Sequence, residues 1–386
     1  MPISRIIVFL VVVQGLLLLV HWYVGVRIAA AIGASGMGQT ALWAVVALLY
    51  LCVPAAFLLA RSTRFGMMGD VLTWIGYAWM GVLFLLLAGV LLGDASGLLV
   101  RASGWLVGRD LSATVRGVHI AGIVAALAAA GFGIREALLP PEIHSIEVDI
   151  PGLPEAFDGY RIAQVTDTHI GRILGRSWAA DLARRVDSAA PDLVVHTGDL
   201  VDGTVEGMGP AVEPLSGMHG RDGTYFVTGN HEAYSGIAPW VRFVQNMGWT
   251  VLSNRHVLIH RGGSTLCLAG VTDAHEGGSP GGSAPDPRAA LAGVPAGVPV
   301  VLLAHQPRQA LQAQHMGVSL QLSGHTHGGQ LWPFHYLVRL QQPMVSGFAL
   351  VGDVPVFTSR GAGFWGPPMR LFAPPEVPIL VLRRPA

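Results

Sequence analysis

Four long apolar runs dominate the N-terminal part of the chain, at residues 6–28, 40–60, 71–92 and 116–139. A helix that crosses the hydrocarbon core of a bilayer needs roughly 20 mostly apolar residues, and each run is long enough. The first run follows Arg5, as in a signal peptide, but it is longer than such a segment and three more runs come after it. The pattern therefore predicts four membrane-spanning helices.

The hydrophobic pattern changes at Pro140 and Pro141, which stop the fourth helix. Apolar and polar residues then alternate over 143–150, and this period of two predicts a strand. Short β-rich runs follow, separated by amphipathic segments, as is typical of an α/β domain. The sequence thus predicts an all-α transmembrane region at residues 1–141 and an α/β domain at residues 142–386.

Within this second domain the apolar runs are short enough to be buried strands. A glycine pair at Gly262-Gly263 predicts the turn of a hairpin in the β-rich stretch 251–271, so antiparallel strands are expected too. Strands are predicted at 160–166, 193–197, 225–228, 300–304 and 318–322, and helices at 177–189, 237–247 and 308–315.

Composition supports a membrane protein. Hydrophobic residues make up 52% of the chain and charged residues 12%, about half the usual charged share of a soluble protein. The mean hydropathy is +0.51. The net charge is zero and lysine is absent, so no basic surface indicates a nucleic-acid partner. Cys52 lies in an apolar run and Cys267 in a predicted strand, which argues against a disulfide between them.

An even number of spans places both ends of the chain on one side of the membrane. The positive-inside rule gives a tie, because four arginines fall on each side. One side has Arg5, Arg61, Arg64 and Arg135, and the other has Arg27, Arg101, Arg109 and Arg116. Arg61 and Arg64 lie in a short loop, where the rule is strongest. This slightly favours a multi-pass protein of the cell membrane with its C-terminal domain in the cytoplasm.

Two histidines, His21 and His119, are the ionisable residues nearest to the interior of a predicted span. Ionisable residues inside a membrane are functional candidates. Each of these two is flanked by Trp, Tyr, Gly or Arg, which favours a neutral, hydrogen-bonded imidazole near the interface. A transporter would need charged residues within its spans, and the sequence has almost none, so transport is not favoured.

Five of the predicted strands end in small polar clusters, which read QVTDTH, HTGDLVD, VTGNHE, LLAHQ and LSGHTHGG. Ligands of open α/β sheets bind at the carboxyl ends of strands, so these clusters predict one site. Carboxylate, carboxamide and imidazole ligands without thiolate favour Mn, Fe or Zn. The number of candidates predicts two divalent ions about 3.5–4 Å apart with one bridging aspartate, a clamp suited to phosphoryl displacement. The seven candidates are Asp167, His169, Asp199, Asn230, His305, His325 and His327.

These clusters match a known pattern. From residue 162 onwards the chain resembles the calcineurin-like metallophosphoesterases, in which D-x-H, G-D, G-N-H-D/E, H and G-H-x-H occur in this order. The resemblance implies a β-sandwich flanked by helices and hydrolysis of phosphoester bonds. It implies one metal ion held by Asp167, His169, Asp199 and His327, and a second held by Asp199, Asn230, His305 and His325. Asp199 would then be the bridge.

The resemblance also implies a catalytic histidine. His231 would protonate the leaving oxygen or stabilise the transition state, with Glu232 orienting it. The segments GNHEAYSG, GHTHGGQ and SRGAGFWGPPMRLFAPPE are similar to a bacterial membrane-associated branch that includes lipid-A-precursor pyrophosphatases and cell-wall-associated phosphoesterases. A phosphorylated substrate is therefore expected, and the four spans favour a lipid-linked one. Phosphomonoesters, phosphodiesters and pyrophosphates all fit the pattern.

Other residues near the pattern have alternative interpretations. Asp202 is expected to cap the following segment or to orient a ligand rather than to bind metal. His196 is interpreted as a core residue or a neighbour of the ligands, and Arg360 as either a phosphate-binding group or half of a salt bridge. Aromatic residues could form an apolar rim for acyl chains or simply pack. They are Trp332, Phe334, Tyr336, Phe364 and Trp365.

A metal-dependent hydrolase is the favoured function. The alternative is a catalytically silent, membrane-bound metal-binding scaffold or sensor, and lost ligands would be its signature. All seven ligands and His231 are present in the sequence, which favours the hydrolase.

Overall fold

The structure is a computed structural model that describes residues 3–60 and 65–385. It divides into two compact units, the first built from the N-terminal helices up to Arg135 and the second mainly from residues 136–365 and 370–385. Arg61 and Arg64, on which the predicted membrane side depends, lie outside the described residues.

Four helices form the first unit. They are α1 (Ile3–Ile32), α2 (Gly36–Ala60), α3 (Gly66–Leu106) and α4 (Ser112–Leu138). All four are long and apolar enough to cross a membrane, in agreement with the four predicted spans. The third is longer than predicted, because the sequence after residue 92 contains no proline that would stop it. Its 41 residues correspond to roughly 60 Å of helix, about twice the thickness of a bilayer core.

The part of α3 that continues beyond the predicted span contains a carboxylate, Asp94. Asp94 lies two residues past the predicted end of the span, 2.8 Å from Nε2 of His119 and 3.0 Å from the guanidinium of Arg27. The ring of His119 is hydrogen-bonded, as expected, with Nδ1 2.9 Å from the carbonyl oxygen of Val115 and Nε2 facing this carboxylate. His21 fits the expectation, because Nδ1 contacts a backbone carbonyl at 2.8 Å and Nε2 accepts from the indole N–H of Trp79 at 2.9 Å.

Twelve strands form the centre of the second unit. They are β1 (Glu142–Asp149), β2 (Arg161–Val165), β3 (Leu193–His196), β4 (Thr224–Phe226), β5 (Thr250–Val251), β6 (Arg255–Arg261), β7 (Ser264–Gly270), β8 (Val300–Leu303), β9 (Leu320–Ser323), β10 (Gly347–Val351), β11 (Val354–Thr358) and β12 (Glu376–Arg383). One sheet has the order β1-β12-β2-β3-β4-β5 and the other β10-β11-β9-β8-β7-β6. The predicted hairpin is formed by β6 and β7, which pair antiparallel around Gly262-Gly263.

The two sheets face each other as a sandwich. Fully buried residues of β2 and β3, such as Ile162 and Val195, share one core with Leu268, Val301 and Leu322 of the other sheet. Successive residues of a strand point to opposite faces of its sheet. The residues next to these core residues in the chain therefore form further hydrophobic cores on the outer faces of the sandwich. Helices cover these outer faces, which confirms the predicted β-sandwich flanked by helices.

The helices of this unit are α5 (Arg176–Ser188), α6 (Val205–Val212), α7 (Asn230–Ser235), α8 (Ile237–Asn246), α9 (Pro287–Leu291) and α10 (His335–Val338). The helices predicted at 177–189 and 237–247 correspond to α5 and α8. The segment predicted as helical at 308–315 is instead a short 3-10 helix, Pro307–Gln312. Its six residues exceed the three or four that 3-10 helices usually have.

Candidate metal centre

The seven predicted ligands follow five strands whose carboxyl ends meet. β2, β3 and β4 are parallel neighbours in one sheet, and β8 and β9 are parallel neighbours in the other. Parallel strands end at the same edge of a sheet, and the polar residue after each strand therefore lies in a common cleft. Six of the seven form two compact groups in which the potential ligand atoms lie within 4.8 Å of one another.

The first group consists of Asp167, His169 and His327. The two Nε2 atoms of the histidines are 3.0 Å apart, and Nε2 of His327 is 3.3 Å from Oδ1 of Asp167. All three side chains are at least nine-tenths buried. Two imidazole nitrogens and one carboxylate oxygen thus face a common point. A divalent cation at that point would stabilise the arrangement.

The second group consists of Asp199, His305 and His325. Nε2 of His305 lies 3.2 Å from Oδ2 of Asp199 and 3.2 Å from Nδ1 of His325. The same Oδ2 of Asp199 is 3.7 Å from Nε2 of His169, a member of the first group. Asp199 therefore lies between the two groups, as a bridging carboxylate must.

Asn230 is in neither group, and its side chain gives separate evidence that a metal ion fits this site. Its Oδ1 atom is buried, and among the described residues it has no hydrogen-bond partner. An unpaired buried carbonyl oxygen costs free energy unless something satisfies it. Asn230 is the first residue of α7, three residues beyond the end of β4, the strand that neighbours β3. A bound cation would satisfy such an oxygen, so the buried, unpaired Oδ1 of Asn230 fits a metal ligand.

The ligand loops have an unusual backbone. Asp167, His169, Asp199, His325 and His327 all have positive φ, between 43° and 70°. Only a few per cent of residues other than glycine adopt this region, so five instances among seven ligands mark a locally strained site. Such strain is found where the surrounding structure holds side chains in a functional arrangement.

Glycines next to the ligands provide space for them. A Cβ atom at Gly229 would overlap the carboxylate of Asp199, and one at Gly324 would overlap that of Asp167. Gly198 additionally has φ of 98°, a conformation that glycine adopts without steric cost. These positions explain why the ligand pattern includes G-D, G-N-H and G-H.

His231 lies next to both groups, and the carboxylate that contacts its ring is Asp202. Nδ1 of His231 is 2.5 Å from Oδ1 of Asp202, and the same oxygen is 3.1 Å from Nδ1 of His169. A parallel β-bridge between Ile170 and Val201 fixes this position. Asp202 therefore orients a metal ligand and the candidate catalytic histidine at once.

The expected orienting contact from Glu232 is not formed among the described residues. The buried carboxylate of Glu232 accepts hydrogen bonds from the backbone N–H groups of Asp199 at 3.0 Å, Leu200 at 2.8 Å and Gly229 at 2.6 Å. Adjacent residues of a helix point in different directions, so Glu232 turns away from the ring of His231. Its contacts instead hold the loop of Asp199 against the start of α7.

These contacts shift the pKa values of Asp202 and His231 in opposite directions. Burial raises the pKa of Asp202, but the adjacent His169 and His231 outweigh burial and hold it well below its usual range. Burial lowers the pKa of His231, but the carboxylates of Asp199 and Asp202 outweigh burial and raise it to about 9. His231 is thus suited to hold a proton that it can donate.

A residue that the sequence analysis did not single out also supports the centre. Arg370 is fully buried, and one of its terminal nitrogens lies 3.2 Å from Nδ1 of His327. The guanidinium also donates to the carbonyl oxygens of His327 at 3.1 Å, Arg360 at 2.7 Å and Ala373 at 3.1 Å. Arg370 occurs in the quoted segment MRLFAPPE, but nothing in the local pattern distinguishes it from the other arginines.

The remaining residues from the sequence analysis lie outside the two groups. His196 is buried in the core and stacks on Trp249. Arg360 forms a salt bridge with Glu376. Trp365 is 42% exposed, and its ring centroid lies 6.2 Å from that of His231.

Of the aromatic residues suggested as a rim, four are partly exposed and one is not. Phe364 is buried against Leu174, so it cannot line an open rim. The loop that contains it folds inwards, with the N–H of the preceding Gly363 bonded to the backbone of Asp167 at 2.9 Å. The exposed members are Trp332, Phe334, Tyr336 and Trp365.

Comparison with known proteins identifies the family of this chain. Residues 160–329 match the family model described as calcineurin-like phosphoesterase. A transmembrane protein with metallophosphoesterase domain from Danio rerio is 33% identical over 394 residues, which cover 97% of this chain and 89% of that protein. A protein of the same description from Bos taurus is 35% identical over 263 residues, covering 65% of this chain and 59% of that protein.

An uncharacterized metallophosphoesterase from Helicobacter pylori is 36% identical over 253 residues, which cover 65% of this chain and 66% of that protein. The Danio rerio protein is matched along most of its length, and the matched region includes the four apolar helices as well as the sandwich. The chain is therefore a membrane protein with a metal-dependent phosphoesterase domain, and it belongs to the calcineurin-like phosphoesterase family.

Proposed function

We propose that this protein hydrolyses a phosphoester or pyrophosphate bond of a lipid-linked substrate with two divalent metal ions. The observation that carries the proposal is the pair of buried ligand groups that share Asp199, with the unpaired Oδ1 of Asn230 beside them. Asp167, His169, Asp199 and His327 would hold one ion, and Asp199, Asn230, His305 and His325 the other. When bound, two such ions neutralise charge on a transferring phosphoryl group and lower the pKa of water.

The chain's own residues supply the rest of the reaction. The carboxylate of Asp202, 2.5 Å from Nδ1 of His231, stabilises the protonated ring, so that His231 would hold a proton at Nε2. Donating this proton to the leaving oxygen would avoid the release of an unprotonated alkoxide. Asp202 accepts at Nδ1 and thereby leaves Nε2 as the nitrogen that faces the ligands, 4.0 Å from Asp199. We assign His231 as the general acid and Asp202 as its orienting partner.

The reaction class is tested with bis-para-nitrophenyl phosphate. Purified full-length protein supplied with Mn²⁺ is expected to release para-nitrophenolate, and removal of the metal with a chelator is expected to stop the reaction. Restoring Mn, Fe or Zn separately, together with elemental analysis of protein purified without chelator, identifies the metal that supports the activity. Hydrolysis that continues at the same rate after complete metal removal would refute the proposal.

A lipid-linked substrate is supported by the covalent connection to the membrane helices. α4 ends at Leu138 and β1 begins at Glu142, so very little chain separates a span from the phosphoesterase domain. Such a short connection keeps the domain at a high effective concentration near the bilayer. Deletion of the gene is expected to cause a phosphorylated lipid to accumulate, as measured by lipid profiling. Accumulation of soluble nucleotides in its place would exclude the lipid-linked assignment.

We propose that the phosphoesterase domain lies on the cytoplasmic side of the membrane. The charge count is even, and only the short loop with Arg61 and Arg64 favours this orientation. Reporter domains fused after the last residue and, separately, within the 107–111 connection between α3 and α4 should report opposite sides. A C-terminal reporter that is active only outside the cytoplasm would overturn the orientation.

Arg370 provides a prediction about the first metal position. Replacing Arg370 with methionine removes the hydrogen bond that holds the backbone carbonyl of His327, together with those to the carbonyls of Arg360, Gly361, Gly363 and Ala373. Residues that support a metal ligand typically contribute about 10- to 100-fold to metal affinity, and we expect a loss of that size at one of the two ions. Titration with Mn²⁺ followed by electron paramagnetic resonance should therefore show one ion where the parent protein shows a coupled pair.

The matched control is Arg360→Met, which removes a guanidinium from the same loop. Arg360 contacts Glu376 and the carbonyl of Pro374 but not the ring of His327. It should lower the melting temperature without changing the number of bound ions. Equal loss of metal in both variants would mean that Arg370 acts only through loop stability.

A further inference from the structure

Large apolar side chains are exposed unevenly on the second unit of the structure. Two connections contain most of those that its described residues expose: the segment 330–340, which follows the ligands after β9, and the connection from β11 to β12. Single exposed apolar residues are normal on a soluble surface, whereas a contiguous patch marks a site of interaction. The exposed residues of the two connections are Trp332, Phe334, Tyr336, Leu337, Leu340, Trp365 and Phe372.

The two connections are joined to each other. Leu331 and Leu371 form a parallel β-bridge, and the backbone N–H of Trp332 donates to the carbonyl oxygen of Leu371 at 3.3 Å. Gln330 and Trp365 exchange two hydrogen bonds of 2.8 and 3.0 Å. The exposed side chains of both connections therefore belong to one patch. We define the apolar surface as Trp332, Tyr336, Leu337, Leu340 and Phe372.

The composition around this apolar surface fits a lipid bilayer. Residues 328–351 contain one arginine, Arg339, and no lysine, aspartate or glutamate. Arg339 is exposed and directly precedes Leu340. Tryptophan and tyrosine are enriched where a protein meets the headgroup level of a membrane, and arginine is suited to binding lipid phosphates. The lack of acidic side chains avoids repulsion by anionic lipids.

Strand direction brings the chain from the last span into the sandwich at the edge that carries the metal ligands. β1 is parallel to β12, and β12 is antiparallel to β2. β1 therefore begins at the edge where β2 ends, just before the ligand Asp167. Glu142, the first residue of β1, is the fourth residue after the end of α4 at Leu138. Four residues span at most about 14 Å of extended chain.

The end of α4 also packs against one of the two connections. Ala137 is buried together with Leu174 and Phe364, and Phe364 directly precedes the exposed Trp365. Arg135 is the first arginine, lysine or acidic residue of α4 after Arg116. Such residues are costly inside the hydrocarbon, so α4 leaves it near Arg135, two residues before Ala137. This contact therefore holds the connection from β11 to β12 close to the headgroup level.

We infer that the apolar surface inserts into the headgroup region of the bilayer, so that the metal centre opens at the boundary between membrane and water. The partner of this surface is the lipid bilayer itself. The inference depends on the membrane span, the strand directions and the exposed side chains. It goes beyond the proposed hydrolysis and does not require it, because contact with the bilayer needs neither metal nor substrate.

The test measures fluorescence quenching in the full-length protein, reconstituted in phosphatidylcholine nanodiscs. Leu337→Cys and Leu340→Cys, each combined with Cys52→Ala, would carry an NBD fluorophore, and Cys267 is buried. An interfacial surface lies roughly 5–10 Å deep, so lipids with a nitroxide near the headgroup end of the acyl chain should lower the emission at both positions by about twofold or more.

Leu311→Cys in the same background is the matched control, because Leu311 and Leu337 are both 52% exposed. The carbonyl of Leu311 accepts from Gln314 at 2.8 Å, and a Cβ atom at Gly352 would touch the side chain of Gln314. Gly352 lies in the turn between β10 and β11, at the edge opposite the ligands, because β11 is parallel to β9. The emission of a fluorophore at residue 311 should stay unchanged by the nitroxide lipids.

Two results would overturn the inference. The first is quenching at residues 337 and 340 that does not exceed quenching at residue 311. The second is a blue-shifted emission at residues 337 and 340 that depends on protein concentration and is insensitive to nitroxide lipids, which would assign the surface to a second copy of the chain. Neither result bears on the proposed hydrolysis, which is tested by the activity of the parent protein with bis-para-nitrophenyl phosphate.

Discussion

Replacing Asp199 with asparagine is expected to abolish hydrolysis and to release at least one metal ion. Asparagine keeps the shape of the side chain, which Gly229 contacts closely, but it removes the charge shared by the two ligand groups. Loss of a charge that would hold both ions should lower the rate by at least the roughly 10- to 100-fold that the loss of a residue supporting a single ligand costs. The rate with bis-para-nitrophenyl phosphate and the bound metal, measured by elemental analysis, should fall together.

Asp192 offers a matched control for this variant. It is also a buried carboxylate, and it accepts from the backbone N–H of Arg161 at 2.9 Å and from the guanidinium of Arg261 at 2.8 Å. Asp192→Asn should therefore lower stability while both ions and the rate per bound metal are retained. Full activity in Asp199→Asn, or two tightly bound ions in that variant, would contradict the assignment of Asp199 as the bridge.

Replacing His231 with asparagine is expected to lower kcat by about 10²- to 10⁴-fold, the usual contribution of a general acid, while both metal ions remain bound. The loss should depend on the leaving group. Para-nitrophenolate leaves without a proton, so its release should be impaired less than release of an alkyl alcohol from a matching diester. Asp202→Asn should show the same dependence with a smaller loss, because the ring of His231 is retained.

Comparing a good with a poor leaving group distinguishes proton donation by His231 from stabilisation of transition-state charge. Equal losses with good and poor leaving groups would show that the imidazole stabilises transition-state charge and does not donate a proton. His256→Asn serves as the control, since His256 bonds to the carbonyl of Ala290 at 2.7 Å and has no contact with the ligands. It should leave kcat unchanged for both substrates.

The grouping of the candidate ligands could be predicted from the sequence because each follows a short buried strand. A strand is recognised from about five residues, and parallel strands bring their ends together whatever the rest of the fold does. Asp167, His169, Asp199, His305 and the two histidines of G-H-x-H were found in this way. The four membrane helices could also be predicted from local sequence, since the length and hydropathy of each segment identify it.

The features that the sequence did not predict depend on contacts between residues that are far apart in the chain. Arg370 touches His327 across 43 positions of the chain. Asp202 meets His231 across 29 positions, so local spacing favoured the adjacent Glu232 instead. β12 inserts between β1 and β2, a pairing that no local pattern determines. Asp94 was overlooked because the apolar run ends before it, although the helix continues.

The backbone of the ligand loops limits how this centre can evolve. Asparagine, aspartate and histidine are the residues other than glycine that most readily accept a left-handed conformation, or are enriched in it. Two of these types, aspartate and histidine, occupy the five ligand positions with positive φ. A change to glutamate or cysteine would introduce a competent metal ligand but would add backbone strain. Descendants of this sequence should therefore lose a ligand outright more readily than exchange it for another kind.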